Sequence, residues 1–174
     1  AGDDLYVSGH LGDARLALEA FRGTVSLPQS VFDAARLRME TPTPRVALGI
    51  ALRGIAHAMA DISDGLLGDL GHILKASQVG AEIDLPAMAD LMAASAQWNC
   101  PKNLASICML NGGDDYELVF TAPAAARASV LAAATHANTR VTRIGQITTT
   151  LGLVLRDESG LPVQHQHRSF DHFA

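Results

Sequence analysis

The stretch from Ile55 to Ala76 constrains the fold most: an apolar run, IAHAMADI, ends on a carboxylate, turns at Ser63-Asp64-Gly65 and enters LLGDLGHILKAS. In its second half Leu66, Leu67, Leu70, Ile73 and Leu74 recur at helical spacing, and Ser-Asp-Gly suits a helix entry. A buried extended segment feeding directly into an amphipathic helix calls for a sheet with a helical layer packed on it.

The rest of the chain extends that pattern. Helical spacing over Gly12 to Arg22 and Pro28 to Met39 predicts two helices, and Thr41-Pro42-Thr43-Pro44 predicts a turn leading into a short helix, VALGIALRG, with Pro44 at its first position. Gly80 breaks the central helix, AEIDL reads as a strand, and Pro86 starts an alanine- and methionine-rich helix through about Gln97. Tyr116 to Thr121 (YELVFT) is the clearest strand, followed by an alanine-biased helix from Pro123 to Ala137. After Asn138, VTRIGQI, LGLVLRD and PVQHQ alternate between turns and predict a β-meander. The expected class is α+β, a mixed β-sheet flanked by α-helices rather than a strict βαβ repeat.

Composition narrows the function. The 174 residues are 48% hydrophobic and 18% charged, enough apolar material for one globular core. A net charge of -5 gives no basic surface for nucleic acid or anionic membrane, so a polyanionic ligand needs a metal ion or helix N-termini to compensate it. No apolar run approaches the roughly 20 residues of a membrane span and no signal segment opens the chain. The expectation is a soluble, cytoplasmic protein. Cys100 and Cys108 have neither Cys-x-x-Cys spacing nor the density of a disulfide scaffold and read as free thiols, and His165 and His167 read as a surface pair on a strand.

Two acidic clusters stand out. In DISDGLL, Asp61 falls where an apolar strand leaves the core, a position costly for a charge unless it is paired or metal-bound, and Ser63 and Asp64 fall at the helix N-terminus. Two readings are open. Ser63 and Asp64 cap the helix, or Asp61 and Asp64 hold magnesium while free N–H groups at the helix N-terminus receive a phosphate. In NGGDDYEL, Gly112 and Gly113 permit a tight bend before Asp114 and Asp115, which alternation sends to opposite faces; the segment is a hairpin turn or one wall of a site.

The two clusters, in order with GDDLYVSGHLGDARLAL, TPTPRVALGIALRG, VTRIGQI and the closing SFDHF, resemble the thiamine-monophosphate kinases, in the superfamily of aminoimidazole ribonucleotide synthetase. The resemblance implies ATP- and magnesium-dependent phosphorylation of thiamine phosphate to thiamine diphosphate by a two-domain, homodimeric enzyme. It implies that residues 1–25 end an interdomain segment, that 26–174 are the C-terminal α+β domain, and that the N-terminal ATP-binding domain lies outside this chain. It implies magnesium ligands at Asp61 and Asp64, a nucleotide contact at Ser63, and thiamine phosphate contacts at Asp114 and at an aromatic near the C-terminus, Phe170 or else Phe173. Asn111 departs from the small residue expected before Gly-Gly, and Ser169 from the glycine often found before the aromatic. Competing expectations are another ATP-dependent synthetase of the superfamily and a binding module without activity of its own.

Overall fold

The computed structural model describes residues 1–163. Its strands are β1 (Asp3–Ser8), β2 (Ala58–Ile62), β3 (Gly80–Asp84), β4 (Glu117–Pro123), β5 (Val141–Thr148), β6 (Gly152–Arg156) and β7 (Pro162–Val163). Its helices are α1 (Asp13–Phe21), α2 (Gln29–Glu40), α3 (Val46–Ala51), α4 (Leu66–Ser77), α5 (Lys102–Asn111) and α6 (Arg127–His136). The strands form one mixed sheet in the order β2-β4-β1-β5-β3-β6-β7, in which only the β3–β6 pair is parallel. The α+β expectation holds, with helices on both faces of the sheet.

Each face carries its own core. The larger one packs α4 (Leu66, Leu70, Ile73, Leu74) and the ends of α1, α2 and α5 against Leu5, Val7, Val119 and Ile144 of the sheet. The smaller one packs Leu48, Leu52, Val130 and Ala133 against Tyr6, Phe120 and Ala122, with the Tyr6 and Phe120 rings stacked at 5.2 Å. A fully buried leucine such as Leu70 contributes about 1.5–3 kcal/mol through the area it removes from water.

Four sequence expectations change. The predicted Pro86–Gln97 helix is two short 3₁₀ turns, Leu85–Met88 and Ala93–Ala96. Here the chain is bound to its neighbours: between the turns the Leu91 carbonyl accepts from the Leu11 N–H, and in the second turn the Ala94 N–H donates to Asp13, and these bonds override helix propensity. The predicted meander is interrupted, because β3 lies between β5 and β6. The short 149–151 connection passes the start of β3 so closely that a Cβ on Gly80 would sit 1.9 Å from the Thr150 carbonyl oxygen. The helix after the Thr-Pro repeat starts at Val46 rather than Pro44, with Arg45 at its N-cap in a non-helical backbone conformation. Helix α5, opened by Pro101, was not anticipated, because KNLASICMLN lacks a clear apolar period.

β1 and α1, expected in a segment leading into the domain, are built into its centre: β1 is paired on both sides and α1 packs against α2.

Candidate functional site

The C-terminal end of β2, the start of β4 and the end of β1 meet at one end of the sheet, and both acidic clusters lie there. β2 is an edge strand whose alternation sends Ala58, Ala60 and Ile62 to the larger core and Met59 to the smaller one. Asp61 lies on the same face as Met59, paired with Leu118 of β4, but is exposed at the end of the strand. The expected burial cost at Asp61 is therefore absent; its carboxylate is solvated and makes no ion pair among the described residues.

Ser63 and Asp64 form a half-buried bend whose geometry is set by a residue the sequence reading passed over. Asp69, in the first turn of α4, turns its carboxylate back so that the Ser63 and Asp64 N–H groups donate to it at 3.0 and 3.1 Å. It acts as the acid of a capping box does, while the N-cap itself, Gly65, supplies no side-chain bond. The N–H groups of residues 63 and 64 are thus engaged by Asp69 just ahead of the helix, whose first residue is Leu66. Burial raises the Asp69 carboxyl above its ordinary range, against the lowering effect of those N–H donors.

NGGDDYEL is joined to this bend by the backbone. The Asp114 N–H donates to the Ser63 carbonyl and the Tyr116 N–H to the Ile62 carbonyl, both at 3.0 Å, continuing the β2–β4 ladder past its last regular pair, Ile62 with Glu117. The glycines serve close approach rather than a left-handed bend. A Cβ on Gly113 would lie 2.3 Å from the Ser63 carbonyl oxygen, yet neither Gly112 nor Gly113 has a positive φ. Positive φ falls instead on Asp114 (66°) and Tyr116 (50°), each costing of order 1–3 kcal/mol.

Side chains then alternate between structure and solvent. Asp114 is exposed and Asp115 is buried, as expected of opposite faces. Asp115 accepts from the Gly12 N–H at 2.7 Å and the Ala14 N–H at 3.4 Å, tying the loop to the start of α1. Burial, together with the nearby Asp13 carboxylate, outweighs these donors and pushes the Asp115 carboxyl up to about 7. Tyr116 is 41% exposed and Glu117 is fully buried. Glu117 accepts from Ser8 at 2.6 Å, from Arg38 at 3.0 Å and from Arg45 through two bonds of 2.6 Å, which anchor the α2–α3 connection to the site. Burial favours the neutral acid at Glu117, but Arg45, Ser8 and Arg38 hold its carboxyl below the ordinary value.

The structure thus brings Asp61, Ser63, Asp64 and Asp114 to one end of the sheet; Phe170 and Phe173 lie outside the described residues. Among the described residues no three acidic, histidine or cysteine side chains gather closely enough to hold a metal by themselves. Sequence reasoning missed Asp69, Asp115 and Glu117 as residues that shape the site; the signal available was a carboxylate on the inward face of each element end.

Comparison with known proteins bears on this arrangement. Residues 1–158 match the family model described as AIR synthase related protein, C-terminal domain. The chain is 38% identical over 175 residues to a thiamine-monophosphate kinase of Escherichia coli, an alignment covering 99% of this chain and 53% of that protein. It therefore spans about half the length of the curated relatives it matches. Among solved structures, the thiamine-monophosphate kinase of Stenotrophomonas maltophilia superposes with a TM-score of 0.81 at 41% identity, covering 88% of this chain and 50% of that one. A structure described as AaThiL complexed with AMPPCP and TMP superposes with a TM-score of 0.72 at 27% identity, over 99% of this chain and 52% of that one. The family match over most of its length, and a sheet with both acidic loops at one end, place the chain in the AIR synthase related family, as its C-terminal domain.

Proposed function

We propose that this chain is the C-terminal half of a kinase that transfers the terminal phosphoryl group of ATP to thiamine phosphate, giving thiamine diphosphate. The observation that carries the reading is the pair of backbone hydrogen bonds joining Ser63 to Asp114 and Ile62 to Tyr116, which fixes two acidic loops against each other. Identity of 38% to the Escherichia coli thiamine-monophosphate kinase supports it, as does the similarity to AaThiL, a structure holding AMPPCP and TMP.

The donor set fits magnesium. Asp61 offers carboxylate oxygens at a solvated strand end and Asp64 lies in the half-buried bend that follows, and magnesium binds through one or two carboxylates while keeping positions for water and phosphate oxygens. When bound there, it neutralises phosphate charge and aligns the attacking and leaving oxygens. In this reading the Ser63 hydroxyl contacts the nucleotide and Asp114 contacts thiamine phosphate, a role shared with Phe170 or else Phe173, outside the described residues. The acceptor, a phosphate oxygen already ionised at neutral pH, needs little help from a base, so the chain's contribution is positioning. The ladder holds the metal-binding carboxylates and Asp114 at a fixed separation, and the Asp69 and Asp115 anchors keep each loop from drifting. The reading carries with it a cytoplasmic, homodimeric full-length enzyme without nucleic-acid or membrane partners, whose other half binds ATP.

Replacing Asp61 or Asp64 with asparagine in the full-length protein is expected to lower kcat more than tenfold and to shift the magnesium titration upward, in line with the several kcal/mol a metal supplies. Unchanged kcat and magnesium dependence in both variants would contradict the assignment. Asp114→Ala is expected to raise KM for thiamine phosphate more than KM for ATP; an equal rise in both would remove Asp114 from the substrate site.

A further inference from the structure

The loop between α5 and β4 assigns its backbone strain in an unusual way. It contains two adjacent glycines, the residues that adopt positive φ at least cost, yet both keep ordinary dihedrals and are required instead because neighbouring backbone leaves no room for a Cβ. The left-handed positions go to Asp114 and Tyr116. For a bulky aromatic, φ of 50° is an outlier that folding alone would give to glycine or asparagine.

The strain is held from both sides. Buried Asp115 is pinned to the start of α1, buried Glu117 to Ser8, Arg38 and Arg45, and the Tyr116 N–H to the Ile62 carbonyl. Tyr116 is 41% exposed, a large aromatic that the described residues leave uncovered over much of its surface. A large aromatic kept at a disfavoured dihedral, partly exposed, two residues from exposed Asp114 and bonded through its backbone to the residue after Asp61, has the placement of a ligand-contacting group.

We propose that Tyr116 is a specificity-determining residue that forms an aromatic wall of the acceptor site, its ring face packing on the cationic heterocycle of thiamine phosphate beside Asp114. This inference rests on the kinase reading above. An aromatic face attracts a cation most strongly when the pair is shielded from water, and an adjacent carboxylate adds to the preference for a positively charged ring. Tyr116 and Asp114 together then select a cationic acceptor over a neutral phosphate monoester of similar size.

The test compares Tyr116→Phe, Tyr116→Ala and Tyr116→Gly in the full-length protein, measuring KM for thiamine phosphate, KM for ATP and Tm. The Ala and Gly variants are expected to raise KM for thiamine phosphate about tenfold with KM for ATP within about twofold, a size suited to one shielded cation–aromatic contact. The Phe variant retains KM within about threefold, since the ring face survives. The Gly variant, relieved of the left-handed tyrosine, keeps or raises Tm while losing thiamine phosphate affinity, a combination that a packing role does not produce. The proposal is overturned by unchanged KM for thiamine phosphate in Ala and Gly, by equal rises for both substrates, by a fall in Tm of the Gly variant parallel to its loss of affinity, or by a Phe variant as impaired as Ala. Failure here is distinct from failure of the kinase reading: in the first case the unsubstituted protein makes thiamine diphosphate and only the variants depart from expectation, whereas in the second it makes none.

Discussion

At the scale of single residues, the site end of the sheet separates carboxylates that hold structure from carboxylates left available. Asp69, Asp115 and Glu117 are buried and engaged by N–H groups or arginines, and on the central strand Asp4 is held by Arg127 and Arg143, which keep its carboxyl near 2. Asp61 and Asp114 are exposed and without such partners among the described residues. Sequence spacing located both clusters and left open whether Ser63 and Asp64 cap the helix or serve a site. It passed over Asp69, whose carboxylate accepts from the N–H groups of both from six and five residues on. The buried acid Asp115 carries a pH prediction. Its folded pKa, near 7, lies above the ordinary 3.8, so it favours folding in its protonated form and that contribution is lost as pH rises from about 4 through 7. Asp13 and Asp69, also raised by burial, act in the same sense, while burial lowers His10, which acts oppositely below its ordinary 6.5. Comparing Asp115→Asn with the unsubstituted protein isolates the one group: the Tm difference is expected to move in favour of the variant between pH 5 and pH 8. A pH-independent difference would contradict this reading of Asp115. Burial pushes the Cys108 thiol up to about 12, so it stays protonated and unreactive near neutral pH.

At the scale of elements, α4 is the clearest case of sequence dictating structure. Its five apolar positions are all buried, its C-cap Gln78 is left-handed with φ of 53°, and the strand before it ends within one residue of the acidic cluster. Leu70 sits at the centre of that stripe with no exposure, and Leu70→Ala is expected to cost about 2–5 kcal/mol in urea unfolding through lost burial and the cavity left. A loss below about 1 kcal/mol would show that α4 is not the core helix described. Elements failed to read where tertiary bonds outweighed local preference, as in the 85–97 region tied to Leu11 and Asp13, or where local preference was weak, as in α5. Strand alternation identified β5 and β6 but carried no information about which strand would lie between them.

At the scale of the molecule, the sheet order brings together at one end loops far apart in the chain: 62–65, 112–116, the turn after β1 and the α2–α3 connection. Residue types and their order made the two acidic motifs legible, but their contact was not, since it depends on β2 pairing with β4 rather than with a sequence neighbour. With a net charge of -5 and exposed acids at that end, a polyphosphate bound there would call for a compensating cation, and this supports the proposal of magnesium. The most direct test is steady-state formation of thiamine diphosphate from ATP and thiamine phosphate by the full-length protein. Magnesium-dependent turnover, lost on chelation and diminished in Asp61→Asn, is the predicted result; no thiamine diphosphate at saturating substrates and magnesium would contradict the account.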